Sequence, residues 1–264
     1  MYTICSLNHK GGVGKTTCAA IIAVALSLKG YKILLIDTDS QGNLSSLFGF
    51  DPSKQNLEHS LYSCIENKLQ EDSTSSASHI LHTDYDNIDI LVGNIDLTKN
   101  RAHVETALST ALNPLYKKII DDIKASCDYD YVIFDCPPSL GGEIAQILIA
   151  VDYVIIPSTT SLYSIKGIAS TISLLNSAKL FNPNIKPLGI LMNKVSNNSS
   201  IYKEVRPSLE QMYGNLLFDT TISRSVIAER MEWNGIEPSN NKIFNAYMKL
   251  ADEVVNRIDF DQQK

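Results

Sequence analysis

The sequence predicts an α/β fold, one domain built on a mostly parallel, twisted sheet with helices on both faces. Three observations predict it. Short apolar runs alternate with helical stretches along the chain, as buried parallel strands do when crossover helices cover both faces. A glycine-rich turn at residues 11–14 lies between one such run and a helix rich in Ala, Ile and Leu. And 264 residues with 44% hydrophobic content suffice to bury one sizeable core.

Taken in order, Tyr2 to Leu7 reads as the first strand, residues 16–28 as a helix with Gly30 as its C-cap, and Lys32 to Ile36 as the second strand. The runs Ile88 to Val92, Tyr131 to Phe134, Tyr153 to Ile156, Pro187 to Met192 and Leu216 to Ile222 continue the pattern. Two stretches look loose, Asp72 to Ser78 and Ser196 to Ser200. The second is expected to cap a helix running to about Tyr213, since Ser and Asn side chains accept from free N–H groups at a helix start. Ile243, Phe244, Tyr247, Leu250, Ala251, Val254, Val255 and Ile258 recur at helical spacing and predict a closing helix packed on the sheet.

A formal charge of −6 argues against a protein that coats nucleic acid by bulk electrostatics. The acidic excess lies before Thr159 and a slight basic excess after it, so any DNA contact is expected in the C-terminal part. The five cysteines, at 5, 18, 64, 127 and 136, form no Cys-x-x-Cys pair and have no histidine at metal-ligand spacing. A reduced, cytoplasmic protein is expected. No basic leader precedes the first strand and no apolar run approaches the roughly 18 residues of a membrane span, so export and insertion are not expected.

Residues 10–17 read Lys-Gly-Gly-Val-Gly-Lys-Thr-Thr between a strand and a helix. A nucleoside triphosphate needs converging backbone N–H donors, a helix N-terminus behind them and a lysine near the β- and γ-phosphates. Gly11, Gly12, Val13 and Gly14 can supply the curled backbone, Lys15 the charge, Thr16 a hydroxyl ligand for Mg²⁺, and Thr17 a contact to the α-phosphate. The strict pattern has glycine where this chain has His9, so the match is to a variant P-loop. Val132-Ile-Phe-Asp135 is an apolar strand ending in a carboxylate, a Walker B pattern in which Asp135 would hold Mg²⁺, and Pro137 and Pro138 stop the strand. These motifs predict a P-loop NTPase that uses ATP and Mg²⁺ and hydrolyses slowly.

Lys10, ahead of the glycines, is absent from an ordinary P-loop. Here the sequence resembles the ParA/MinD family of deviant Walker ATPases, on its ParA/Soj partition branch. The resemblance runs through residues 10–17, Leu35-Ile-Asp-Thr-Asp-Ser-Gln-Gly-Asn43, Val92-Gly-Asn-Ile-Asp-Leu97, Asp135-Cys-Pro-Pro-Ser-Leu-Gly141 and Gly189-Ile-Leu-Met-Asn193. It implies a homodimer closed over two ATP molecules, with Lys10 reaching the phosphates held by the other subunit; cations crossing between two triphosphate-bearing faces would offset their repulsion. It places the water-orienting carboxylate at Asp39, sets Asp37 nearer the metal, and gives Asn193 the adenine edge. Lys10, Lys15 and Asp39 are thus the expected catalytic set. Ser40 stands where the family has proline, and Thr159 and Ser161 replace its usual Gln and Glu.

Within the family, partition ATPases bind DNA non-specifically as ATP dimers through C-terminal basic residues. Lys203, Arg206, Arg224 and Lys242 are the candidates, Lys242 standing where relatives carry arginine. A ParB-like centromere-binding protein is the implied activating partner, and the nucleoid the implied location. The tail Asp259-Phe-Asp-Gln-Gln-Lys264 has the wrong charge for the membrane-binding helix of the MinD branch. Cysteine placement does not suit an iron–sulfur reductase, and amide-forming synthetases of related fold normally lack a lysine such as Lys10. The chain starts at its first strand, so an operator-binding helix-turn-helix extension is not expected. A positioning ATPase for a cargo other than DNA, such as a protein assembly, is the alternative.

Overall fold

Every apolar run becomes a strand of one eight-stranded sheet. In a computed structural model describing residues 1–51, 59–93, 101–110, 112–138, 141–225, 235–236 and 242–263, the strands are β1 (Tyr2–Ser6), β2 (Ile33–Asp37), β3 (Leu81–His82), β4 (Ile88–Leu91), β5 (Tyr131–Asp135), β6 (Tyr153–Ser158), β7 (Lys186–Val195) and β8 (Leu217–Ser223). Their order is β3-β4-β2-β5-β1-β6-β7-β8. All neighbours run parallel except β3, which pairs antiparallel with β4 at the edge. Residues 94–97 of the Val92 motif, and Ser139 and Leu140 of the Asp135 motif, lie outside the described residues.

Strand alternation divides the apolar side chains between two cores. Tyr131 and Ile133 of β5 face one side with Ile4, and Val132 and Phe134 face the other with Cys5. The first side is covered by α1 (Lys15–Ser27), α2 (Asn43–Leu47) and α9 (Lys242–Gln262). The second is covered by α3 (Leu61–Leu69), α4 (Arg101–Leu108), α5 (Leu115–Ser126), α6 (Gly142–Ala150), α7 (Leu162–Ala178) and α8 (Ser200–Tyr213). Both faces of the sheet are therefore dry, which is why its strands read as continuous apolar runs. Among the described residues no helix is long and apolar enough to cross a membrane.

Helix boundaries follow local chemistry. Ser199 caps α8 by accepting from the Tyr202 N–H, as the Ser/Asn cluster predicts. The predicted closing helix is α9, with Ile243, Phe244, Tyr247, Leu250, Ala251, Val254 and Ile258 buried along one stripe. α1 ends earlier than expected, capped at Leu28, and Gly30 follows at φ +90°, where it lets the Tyr31 N–H return to Leu26 O. Residues 72–78 are not loose. Ser76–His79 form a 3₁₀ turn whose first N–H donates to Asp122 Oδ2 at 2.7 Å, an oxygen that also accepts from Lys68 Nζ. Partial burial works against the Asp122 charge, but those donors prevail and hold the carboxyl at about 2.

Candidate functional site

In a parallel sheet the strand ends at one edge all carry loops toward one crevice, and here the motifs collect at the C-terminal ends of β1, β2, β5 and β7. The register of β2 with β5 sets Asp37 opposite Asp135, and that of β1 with β5 sets Ser6 opposite Asp135. The crevice, about 560 Å³, is lined by Gly11, Gly12, Gly14, Lys15, Thr16, Thr17, Asp39, Cys136 and Lys194, among others. That volume lies within the range of small-molecule sites.

The phosphate loop is built for anions. Gly12 at φ +76° and Gly14 at φ +86° adopt left-handed backbone, and alternating hands turn successive N–H groups to one side. α1 begins at Lys15, so its unpaired N–H groups face the same point. Lys15 is buried, its Nζ donating to Asn8 O at 3.4 Å. Burial lowers its pKa, opposed by Asp135, Cys136 and Asp39. Lys10 is exposed at the front of the loop with its backbone N–H fixed by Asn8 Oδ1 at 2.9 Å. Asn8 is fully buried and donates to Pro157 O at 2.8 Å, which ties the loop to the end of β6.

The two buried carboxylates differ in their surroundings. Asp37, expected near the metal, has both oxygens engaged: Oδ2 accepts from Ser45 N at 2.8 Å and Ser45 Oγ at 2.7 Å, and Oδ1 from Asp39 N at 3.2 Å. Asp135 is fully buried, and neither of its carboxylate oxygens has a hydrogen-bond partner among the described residues. Burial pushes the Asp135 carboxyl well up, and the Asp37 charge adds to it, while the Thr16 hydroxyl and Lys15 pull the other way. The Thr16 hydroxyl lies close enough to act on Asp135 without forming a full hydrogen bond. A divalent cation between Thr16 and Asp135 would supply the missing partner, and the hard oxygen donors present suit Mg²⁺. The residues fit the metal. Asp39 is half-buried on the crevice wall, with Oδ1 accepting from Gln41 N at 3.0 Å.

Asn193 does not line the crevice. It is 2% exposed, its Nδ2 donates to Val13 O at 2.9 Å, and its Oδ1 accepts from Lys194 N at 2.8 Å. Its amide therefore supports the phosphate loop from below. Two further residues escaped the sequence reading. Ser45 bridges Asp37 and Gly93, whose N–H donates to Ser45 Oγ at 3.1 Å. Lys194 lines the crevice and donates from Nζ to Gly12 O at 3.2 Å. Neither signals itself in sequence, although Lys194 directly follows a motif.

The expected basic cluster is split. Arg224 and Lys242 line one concavity with Ser196, Asn197 and Asn198, just past the C-terminal end of β7. Lys203 is exposed on the first turn of α8. Arg206 lies elsewhere, in a groove at the N-terminal end of β7 with Lys186 and Leu188. Its Nε is paired with Glu210 at 2.7 Å, one helical turn on, and its Nη1 donates to Tyr202 Oη at 3.3 Å. In that groove Lys186 pairs with Asp261, and Arg257 caps the carbonyls of Leu188, Leu216 and Leu217 while stacking on Phe218.

The AAA domain family matches residues 1–187, well over half of the chain, from the phosphate loop through Asp135 into the start of β7. The chain belongs to the ParA/MinD type of P-loop ATPase. It is similar to an uncharacterized protein of Pseudomonas putida, 32% identical over 95% of this chain and 93% of the relative. It is also similar to the chromosome partitioning protein ParA of Caulobacter vibrioides, 26% identical over 95% of this chain and 92% of the relative. Among solved structures, the cobyrinic acid a,c-diamide synthase of Mycobacterium smegmatis, with bound ATP analog and magnesium, superimposes with a TM-score of 0.79. The two are 26% identical, and the match covers 98% of this chain and 96% of that one. The ParA/MinD-type framework is thus present from β1 to α9, with the variant loop, the buried strand-end acids and Asp39 at one edge.

Proposed function

We propose that this ParA/MinD-type chain is a Mg-ATP-dependent partition ATPase. ATP closes a homodimer, the dimer binds DNA non-specifically, and a ParB-like partner stimulates hydrolysis and release, so that a plasmid or chromosome is moved. The observation that carries the reading is the placement of Lys10: exposed, next in the chain to Gly11 of the crevice lining, with its backbone N–H pinned by Asn8. A cation so held can reach a triphosphate on a facing copy. The name of the Caulobacter relative supports partition as the task.

Within each subunit, Lys15 and the loop amides would hold the phosphates, Thr16 and Asp135 would hold the metal, and Asp39 would orient the attacking water. Mg²⁺ supplies neutralisation of charge on the phosphate oxygens when bound. Phosphoryl transfer is mainly positioning and electrostatics, so a weak, switchable ATPase is consistent with one carboxylate on the crevice wall. The pairing of Arg206 with Glu210, which competes with a phosphate for its guanidinium, favours a second reading, a positioning ATPase for a protein cargo.

The experiment is a set of three variants followed by ATP binding, light scattering and phosphate release. Lys15→Ala should lose nucleotide, Lys10→Ala should bind ATP and stay monomeric, and Asp39→Ala should remain an ATP dimer. Hydrolysis by Asp39→Ala at the wild-type rate overturns the assignment.

A further inference from the structure

The end of β7 grips the phosphate loop at two successive carbonyls. Lys194 Nζ donates to Gly12 O at 3.2 Å and Asn193 Nδ2 to Val13 O at 2.9 Å. A trans peptide points its carbonyl and the following N–H in opposite directions. Holding Gly12 O toward β7 therefore turns the Val13 N–H away from β7, and holding Val13 O does the same for the Gly14 N–H. Gly12 and Gly14 supply the alternating left-handed backbone that lets these amides converge. The fit at Gly14 is tight: a Cβ there would lie 2.5 Å from Asn193 Nδ2 and 3.4 Å from Lys194 Cε.

Lys194 is itself unusual. Its φ is +52°, a left-handed conformation that a side chain disfavours, and Asn193 Oδ1 holds its N–H in that state. Backbone outliers of this kind collect where a ligand site depends on them. Here the outlier falls within β7 at an irregularity in the pairing with β8 between Met192 and Val195, and the lysine lies along the crevice wall.

We propose that Lys194 is a positioning residue of the nucleotide site, whose ammonium clasps the Gly12 carbonyl and keeps the loop amides turned toward a di- or triphosphate before it arrives. The inference rests on reading the crevice as a Mg-nucleotide site. A loop ordered in advance does not lose that freedom on binding, so the clasp acts on affinity. Because it touches backbone behind the phosphates, it serves ADP and ATP alike and leaves the chemical step alone.

The test uses the full chain with Lys194→Met, Lys194→Gly and Lys194→Arg. Glycine suits the left-handed backbone, so Lys194→Gly should fold with unchanged or raised thermal stability while losing the clasp. Titration calorimetry with Mg-ATP and with Mg-ADP should show both ligands weakened about tenfold in the Met and Gly variants, the scale of one charge-assisted hydrogen bond. Lys194→Arg should stay within about threefold of wild type, since guanidinium donors can reach the same carbonyl. At saturating ATP, kcat should be unchanged while KM rises. Weakening of ATP alone would make Lys194 a direct γ-phosphate contact and overturn the clasp, as would wild-type affinity in Lys194→Gly. Failure of the wild-type chain to bind Mg-ATP would instead remove the nucleotide reading itself.

Discussion

Ser45 directs both its backbone N–H and its hydroxyl at one oxygen of Asp37, at 2.8 and 2.7 Å, and its hydroxyl oxygen accepts the Gly93 N–H at 3.1 Å. One buried serine thus ties the end of β2 to the chain that leaves β4. Ser45→Ala should leave the Gly93 N–H without an acceptor and Asp37 with one donor fewer, a cost of about 1–3 kcal/mol. Denaturant titration at neutral pH checks it. A stability equal to wild type would mean that another group takes over both bonds.

Lys10 depends on a contact far from it in sequence. A Cβ on Gly167 of α7 would lie 2.2 Å from Asn8 Oδ1, the atom that holds the Lys10 N–H. Asn8 is buried and held by Pro157 O, so it has little room to retreat. Gly167→Ala should therefore cost about 1–3 kcal/mol through overpacking. It should also shift Lys10 and reduce ATP-dependent dimerisation more than ATP binding, as light scattering beside calorimetry would show. A loss of stability with dimerisation intact would separate Asn8 from Lys10.

The sheet and the phosphate loop were legible in sequence because each rests on local chemistry: apolar runs for strands buried on both faces, glycines for left-handed turns, and the Ser/Asn cluster ahead of α8. β3 was not legible, since two residues paired at an edge carry no periodicity. The segment after Asp72 reads as loose for a similar reason. Its order comes from Asp122, 46 residues beyond Ser76, and composition does not show a distant acceptor. Within the site the motif residues are marked by their patterns, whereas Ser45 acts through the Asp37 carboxylate and the Gly93 N–H, and Lys194 through the Gly12 carbonyl. A residue type carries no mark of such a role. The surroundings of the four basic candidates were not legible either: that Arg206 lies toward the N-terminal end of β7 and pairs with Glu210 shows only in the fold.

Glu143 offers a pH test that does not involve the metal residues. It sits in the first turn of α6, with Tyr116 Oη donating to its Oε1 at 2.5 Å. Burial raises its carboxyl from 4.5 to about 7, the Tyr116 bond opposing and the Asp39 charge assisting. An acid with a raised folded pKa favours the fold while protonated, so this contribution is full below about pH 4.5 and is lost as pH rises through about 7. Glu143→Gln keeps an acceptor for Tyr116 and removes the titration. Between those pH values wild type should lose stability relative to Glu143→Gln by up to about 1.4 kcal/mol per pH unit. Asp37 and Asp135 titrate in both proteins and cancel in the difference. Parallel stability curves would show that the Glu143 carboxylate is solvated when charged.

The divided basic residues predict a divided DNA phenotype. Arg224 and Lys242 share a concavity with Ser196, Asn197 and Asn198, whose hydroxyl and amide groups suit phosphate oxygens, and Lys203 is exposed on the first turn of α8. If DNA lies there in the ATP state, Arg224→Ala/Lys242→Ala should weaken binding uniformly across sequences and reduce the slope of log affinity against log salt by about two, one for each lost phosphate contact. Arg206→Ala should leave affinity and slope unchanged and cost about 0.5 kcal/mol of stability, because what it breaks is the exposed pair with Glu210 one turn along the helix and a long bond to Tyr202 Oη. Fluorescence anisotropy with a labelled duplex at several salt concentrations, with and without ATP, measures both. A reduced slope in Arg206→Ala with none in the double variant would move the DNA surface to the opposite end of β7. A flat salt response in the wild-type ATP state would instead favour a protein cargo.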